Sequence, residues 1–317
     1  MVLSLFLISI VSFIIIQLPP GDFLTTYMAQ LAAAGQTFDI AEMASMNRQF
    51  GLDQPVYVQY YQWISGIVMR GDFGYSFNYR RQVHDLLDER MGYSLILALG
   101  TMVFVYFLAL PIGIYSAIKQ YSLADYVVTL LGFLGLALPS FLFALIMMYL
   151  SNKYFGVSVG GLFSPKYEMA PWSLEKFGDF LTHLWVPLVV VGLSGTASLI
   201  RVMRATMLDE LSQPYVETAR AKGLSEARLI LKYPVRLAIS PFISTIGWTL
   251  PSLISDTAIA AIVLSIPTVG PLLLTSLLSQ DMYLSGSIIL ILSVMTVVGT
   301  FISDLLLAWV DPRIRYE

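Results

Sequence analysis

Residues 201–236 read RVMRATMLDELSQPYVETARAKGLSEARLILKYPVR, a charged island between two hydrophobic halves of the chain. It holds seven of the eighteen Lys and Arg residues. Within it, PYVETARAKG (Pro214 to Gly223) has the marks of a short capped helix. Ser212 offers an N-cap, and Pro214 suits a first turn, where its missing N–H leaves nothing unsatisfied. Glu217 falls near the positive end of the helix dipole, and Arg220 and Lys222 near the negative end. Gly223 can take the left-handed conformation that stops a helix. Ser225 offers a cap for a second helix, from Glu226 to about Lys232. Physics alone leaves two readings open, a docking knob or an ordinary loop.

On either side of the island the composition points to a bilayer. The chain has 317 residues, 57% hydrophobic and 12% charged, with mean hydropathy +0.74. Soluble domains carry about 25% charged residues. No cysteine is present, which excludes disulfides and thiolate metal sites. His84 and His183 are far apart, so a histidine metal or acid–base cluster is not expected, and Asp53 with Asp72 makes a poor metal pair. A net charge of −3 gives no reason to expect nucleic-acid binding.

A membrane-spanning helix needs about 20 apolar residues, and six runs qualify. Residues 1–18 form a retained anchor rather than a signal peptide, lacking a basic leader and a small-residue cleavage site. That run starts abruptly, and further residues upstream are expected. Runs 91–118 and 126–152 hold the second and third spans, joined by a tight turn from Lys119 to Asp125. Residues 180–200 make the fourth, about Leu237–Leu264 the fifth, and Gly286–Trp309 the sixth. With both termini cytoplasmic, the inside segments carry Lys119, the seven basic residues of the island, Arg313 and Arg315, ten of the eighteen in about 50 residues. Arg201 and Arg204 are expected to anchor the inner membrane edge.

The polar stretch 19–90 is expected to form a mostly helical extracytoplasmic cap, with helices over Phe38–Phe50 and Val56–Arg70 and with Asp53 and Asp72 capping helix starts. Residues 91–317 then make the core membrane domain, including the loop 201–236. In the second outside loop, Tyr154, Phe155, Trp172 and Phe177 suit an interfacial aromatic belt. Span five is broken by Pro241, Gly247 and Pro251 and followed by Pro267 and Pro271. Irregular backbone at membrane depth is tolerated against protein or a water-filled cavity. The span is therefore a candidate wall of a translocation path, with Trp248, Ser252 and Asp256 as path residues. A charge such as Asp256 within a span costs at least ~2.5 kcal/mol. It faces either a pore, a partner subunit, or local hydroxyls on Ser252, Ser255 or Thr257.

Several motifs resemble one known family. Glu217, Ala219 and Gly223 have the E-x-A-x-x-x-G spacing of the membrane subunits of bacterial ATP-binding-cassette importers. The run YVETARAKGLSEARLILKYPVRLA resembles their peptide-transport branch. GLDQP (Gly51 to Pro55), Gln59-Tyr60, Trp63 and GDFGYS (Gly71 to Ser76) resemble the paired permease with the long first loop. SIPTVG (Ser265 to Gly270), Asp281, Asp304 and DPRIRYE resemble further family elements. The sequence departs in three places. Tyr233-Pro234-Val235-Arg236 stands where the family tends to have I-x-L-P, Ala261 where a glutamate is common, and Thr268 where a glycine is. The change at Ala261 would remove an acidic group from the pathway.

The resemblance implies an all-α polytopic membrane protein of type I importer fold, with six spans, in a bacterial or archaeal cytoplasmic membrane. It also implies a coupling helix in which Tyr215, Glu217, Ala219, Arg220, Lys222 and Gly223 meet an ATPase. The implied partners are a second homologous permease, two ATPase subunits that bind ATP and Mg2+, and an extracytoplasmic solute-binding protein. The chain itself has no G-x-x-x-x-G-K-[ST] phosphate loop and no G-x-S-x-G, H-E-x-x-H or C-x-x-C motif. It is read as neither an enzyme nor a cofactor binder. The solute stays open between oligopeptide and oligosaccharide. An ion-coupled carrier, which would want several buried acids, and a membrane scaffold, which would not need the capped island, are the rivals from other classes.

Overall fold

A computed structural model describes residues 2–17, 54–156 and 160–310. The chain is mostly helical and divides into two units, residues 1–92 with 268–297, and residues 93–267 with 298–317. The expected helix at Phe38–Phe50, the cap role of Asp53, and the segments Gly51 to Asp53 and DPRIRYE lie outside the described residues.

The first unit gathers α1 (Val2–Gln17), α2 (Val56–Arg70), a two-residue hairpin of β1 (Tyr75–Ser76) and β2 (Arg81–Gln82), α13 (Val269–Leu278) and the first half of α14 (Met282–Val310). Phe13 of α1 stacks on Trp63 of α2 with ring centroids 5.4 Å apart. Ser9 and Tyr60 share a hydroxyl hydrogen bond of 2.7 Å. The buried Asp281 carboxylate accepts hydrogen bonds from Ser76 Oγ at 2.6 Å and from the Asn78 amide at 3.2 Å. Those bonds pin the hairpin to the start of α14. Burial pushes the Asp281 carboxyl above the usual range, against the opposing pull of these donors. Asp72 does not cap a helix as expected. Its carboxylate accepts from the Gly74 amide at 2.9 Å, closing a turn within the loop instead.

The second unit is built around α7 (Leu174–Leu211), 38 residues long. It packs against α4 (Leu123–Ala137), α5 (Ser140–Phe155), α10 (Pro234–Ala238), α11 (Ser240–Asp256) and α12 (Ala258–Val263). Most of α3 (Val83–Ile118) belongs to the same unit. Small residues allow close approach between these helices. A Cβ on Gly113 would stand 2.6 Å from Met203 Cβ, and one on Gly135 3.0 Å from Leu193.

Among the described residues three helices, α3, α7 and α14, are long and apolar enough to cross a membrane, or up to five if each of two bent pairs is one span. The expected third span is one such pair rather than a straight helix. It bends by 108° between α4 and α5. Pro139 fixes its own φ and forces the preceding residue out of the helical region; Leu138 accordingly sits at φ −81°, ψ 123°. The expected fifth span also divides, with a 44° bend at Ile239 before α11 and a further break at Thr257. The second and fourth spans extend beyond their apolar runs, starting at Val83 and Leu174.

Candidate functional site

The charged island folds as a hairpin of α8 (Pro214–Ala221) and α9 (Glu226–Lys232). Pro214 opens α8 as expected, but the N-cap position falls on Gln213 and not Ser212, and its side chain makes no capping bond. The reason is that α7 runs on to Leu211. Ser212 keeps a helical backbone as its last link, and its hydroxyl donates to Asp209 O at 2.8 Å. Ser225 precedes α9 as expected, although its side chain makes no capping bond.

The end of α8 is closed by Gly223. At φ +78° it lets its own N–H reach Arg220 O at 3.0 Å and the Leu224 N–H reach Ala219 O at 3.3 Å. These are the two bonds of a Schellman turn. A Cβ at Gly223 would meet nothing within 4 Å, so the demand for glycine is conformational and not steric.

The hairpin has its own small core. Val216 and Leu229 are fully buried and Ala219 nearly so, with Tyr215, Leu224, Ile230 and Tyr233 packed around them. The Tyr215 hydroxyl donates to Glu210, and burial together with that bond holds the phenol protonated far above its ordinary range. Of the six residues singled out in the sequence, Tyr215 and Ala219 therefore face the hairpin interior. Glu217, Arg220, Lys222 and Gly223 are exposed. Arg220 is also committed, since its Nε and Nη2 donate to Glu226 at 2.6 and 3.2 Å and bridge the two helices. That bond holds the Glu226 carboxyl below the usual range. The departure at Tyr233-Pro234 has a local effect. Tyr233 adopts φ −116°, ψ −76°, and buried Pro234 begins α10, whose Val235 and Ala238 pack with Met203 and Met207 of α7.

Trp248, Ser252 and Asp256 recur every four residues and share one face of α11. Trp248 is 59% exposed, and Asp256, the last residue of the helix, is exposed too. The local hydroxyl bonds weighed for Asp256 are not made, and it has no hydrogen-bond partner among the described residues. Ser252 donates to Thr249 O at 2.9 Å. Elsewhere on the helix Gly247 is pressed against α14, where a Cβ would lie 2.5 Å from Thr300 Cα. Ser303 donates to Ile243 O beside it. Ala261 corrects one expectation. It is 2% exposed within an apolar cluster with Ala144, Val190 and Leu264, so the residue at this position does not face an open path.

Two family models match the chain. One, described as the inner membrane component of binding-protein-dependent transport systems, covers residues 109–316, and its N-terminal companion covers residues 1–98. The chain belongs to this family. The permease is 34% identical to the oligopeptide transport system permease protein AppB of Bacillus subtilis (strain 168), over 98% of this chain and 94% of that one. It is 29% identical to the oligopeptide permease protein OppB of Haemophilus influenzae, over 99% and 95%, and 27% identical to the dipeptide permease protein DppB of Escherichia coli K12, over 98% and 94%. Its fold resembles a chain of the inward-facing MetNI methionine ABC transporter, with a TM-score of 0.53 at 15% identity, over 71% of this chain and 96% of that one. It is a multi-pass membrane protein and a transport component rather than an ATPase.

One interaction near the hairpin of the permease was not read from the sequence. Arg204 is not a simple membrane-edge anchor. Its Nε and Nη2 donate to the two oxygens of Asp125 at 3.1 and 3.0 Å. Asp125, itself buried, also accepts from Ser116 Oγ and from the Tyr121 amide at 3.0 Å. The cluster ties the turn between α3 and α4 to α7 about two turns before that helix ends at Leu211. The only sequence signal was an acid and a base in separate polar gaps, 79 residues apart.

Proposed function

We propose that the permease is one of two paired membrane subunits of a peptide importer driven by ATP hydrolysis in partner chains. It lies in a bacterial or archaeal cytoplasmic membrane with six spans and both termini inside. The partners are a second permease, two ATPases that bind ATP and Mg2+, and an extracytoplasmic solute-binding protein. Residues 1–18 form the first span, 19–90 the external cap, and 91–317 the core with its inner loop 201–236. Names of the relatives favour peptides over oligosaccharides as solute.

The observation that carries the coupling role is the partition of α8. Its apolar face is spent on the hairpin's own core, while Glu217, Arg220 and Lys222 stand exposed on a helix stopped by a left-handed Gly223. A knob held this firmly moves as one body with α7 and α10. It supports a two-state mechanism in which each nucleotide state of the ATPases prefers one orientation of the permease. Closure of the ATPase pair on ATP shifts the hairpins and opens the path outward, and hydrolysis returns it inward. Trp248, Ser252 and Asp256 are assigned to the wall of that path.

The chain has no cysteine, so Glu217→Cys places a single thiol on the knob. A membrane-impermeant maleimide is expected to label it in the free permease and to be blocked, at least tenfold in rate, in the complex with ATPases. Equal labelling in both states would overturn the docking role.

A further inference from the structure

A cavity of about 700 Å³ lies between the segment Gly160–Glu168, which ends in the short helix α6 (Pro165–Glu168), and the start of α7, within the range of small-ligand sites. Its titratable lining is acidic or imidazole, namely Glu168, Asp179 and His183, together with Tyr93. Asp179 Oδ1 and Oδ2 accept from Ser164 Oγ at 2.6 Å and from the Ser164 amide at 2.7 Å. Each oxygen keeps a further lone pair.

His183 is 3% exposed. Its Nδ1 lies 2.8 Å from Asp179 O, and a carbonyl can only accept, so Nδ1 carries the proton. The Thr182 hydroxyl donates to the same carbonyl at 2.7 Å. In the neutral ring Nε2 is then a bare acceptor. It has no partner among the described residues, although the side chain lines the cavity. Two nearby cations have partners of their own, and Lys176 also reaches Glu168 O at 3.4 Å and lies 4.7 Å over the Phe163 ring. Lys176 donates to Ala170 O at 2.6 Å and Lys166 to the Tyr167 hydroxyl at 3.3 Å. Neither lysine lines the cavity.

We infer that this cavity is a recognition subsite for a primary ammonium group, supplied by the amino terminus of the transported peptide. An ammonium brings three donors and one positive charge to the lone pairs that Asp179, Glu168 and His183 Nε2 keep free, and no lysine or arginine lines the cavity to compete with it. A metal ion is the poorer match, because no group of three His, Cys, Asp or Glu side chains among the described residues converges on a point that could hold one. The inference rests on the peptide reading above and on placing the loop after α5 outside the membrane. There the subsite would receive the peptide as it leaves the binding protein.

The test is uptake by the complete reconstituted transporter in liposomes, comparing trialanine with N-acetyl-trialanine. The same binding protein serves every variant, so its own preference cancels when ratios are compared. Asp179→Asn and His183→Asn are expected to lower the free-to-blocked uptake ratio about tenfold, with uptake of the blocked peptide unchanged. His183→Asn keeps a donor for Asp179 O but deletes the acceptor at Nε2. The exposed Glu168→Gln is expected to lower the ratio several-fold and keeps the test sharp if Asp179→Asn does not assemble. N-acetyl-Ala-Lys-Ala separates an α-ammonium site from one that takes any amine, and rescue of uptake by its lysine would overturn the terminal assignment. An unchanged ratio in variants with the wild-type melting temperature would overturn the subsite. Failure of the wild type to take up either peptide would instead sink the peptide reading, and the subsite with it.

Discussion

Gly223 and Gly247 belong to two regions that answer opposite demands. Gly223 ends the α8 helix in open space, and only its backbone angle excludes other residues. Gly247 is an ordinary helical residue whose missing side chain lets α11 touch the backbone of α14. One glycine sets the shape of an exposed hairpin from within. The other sets how closely two helices meet. The first requirement is local and the second depends on a residue more than fifty positions away, so the two should fail in different ways when changed.

The largest effect is expected from the ion pair that braces α7. Arg204→Met leaves the buried Asp125 carboxylate without its cation, a change that costs roughly 3–5 kcal/mol in comparable sites. Detergent-solubilised protein should show a large drop in melting temperature, and Asp125→Asn combined with Arg204→Met should recover part of it. Full stability of the single Arg204 variant would mean that the hairpin does not depend on this brace. Next comes Gly247→Val, which must separate α11 from α14 and is expected to cost about 1–3 kcal/mol or more. Melting temperature and transport should fall together. If transport fell while stability held, the contact would be a gating element and not a packing one.

Gly223→Val should cost less in stability, on the order of 1–2 kcal/mol, from forcing a left-handed backbone on a branched residue. It is expected to lower solute-stimulated ATP hydrolysis and transport far more than it lowers the melting temperature. Gly223→Asn, which tolerates the left-handed region, should regain much of the loss. Normal coupling in the valine variant would break the contrast between the two glycines. The smallest effect is expected at Arg220 and Glu226. Their pair is exposed, and such pairs contribute little. The folded Glu226 carboxyl lies below its ordinary range, so its contribution is present above pH of about 4.3 and fades as pH falls through that range. Glu226→Gln should leave melting at pH 7 unchanged within error, and a clear loss there would show the bridge to be buried in the working complex.

The hairpin was legible in the sequence because its signals are local. Pro214, Gly223 and Ser225 mark two helices within twenty residues, and the structure differs where α7 runs on to Leu211 and takes Ser212 as its own C-cap, and where Ser225 makes no side-chain cap. The break at Pro139 was also written locally, but a continuous apolar run from 126 to 152 hid it, since hydropathy reports burial and not direction. The contacts of Arg204 with Asp125 and of Gly247 with α14 were not legible, because nothing in residue type or spacing says which distant partner will arrive. The cavity at His183 escaped for the same reason. Asp179 and His183 stand four residues apart on a helix, and nothing in that spacing says that the Gly160–Glu168 segment will fold over them.

At 1.5 Å per residue, the 38 residues of α7 extend for about 57 Å, nearly twice the roughly 30 Å thickness of a hydrocarbon layer. The hairpin is thus carried at the tip of a long lever. A tilt of only about 10° about its far end would swing that tip by roughly 10 Å, the size of stroke that the proposed coupling would have to pass between membrane and ATPase.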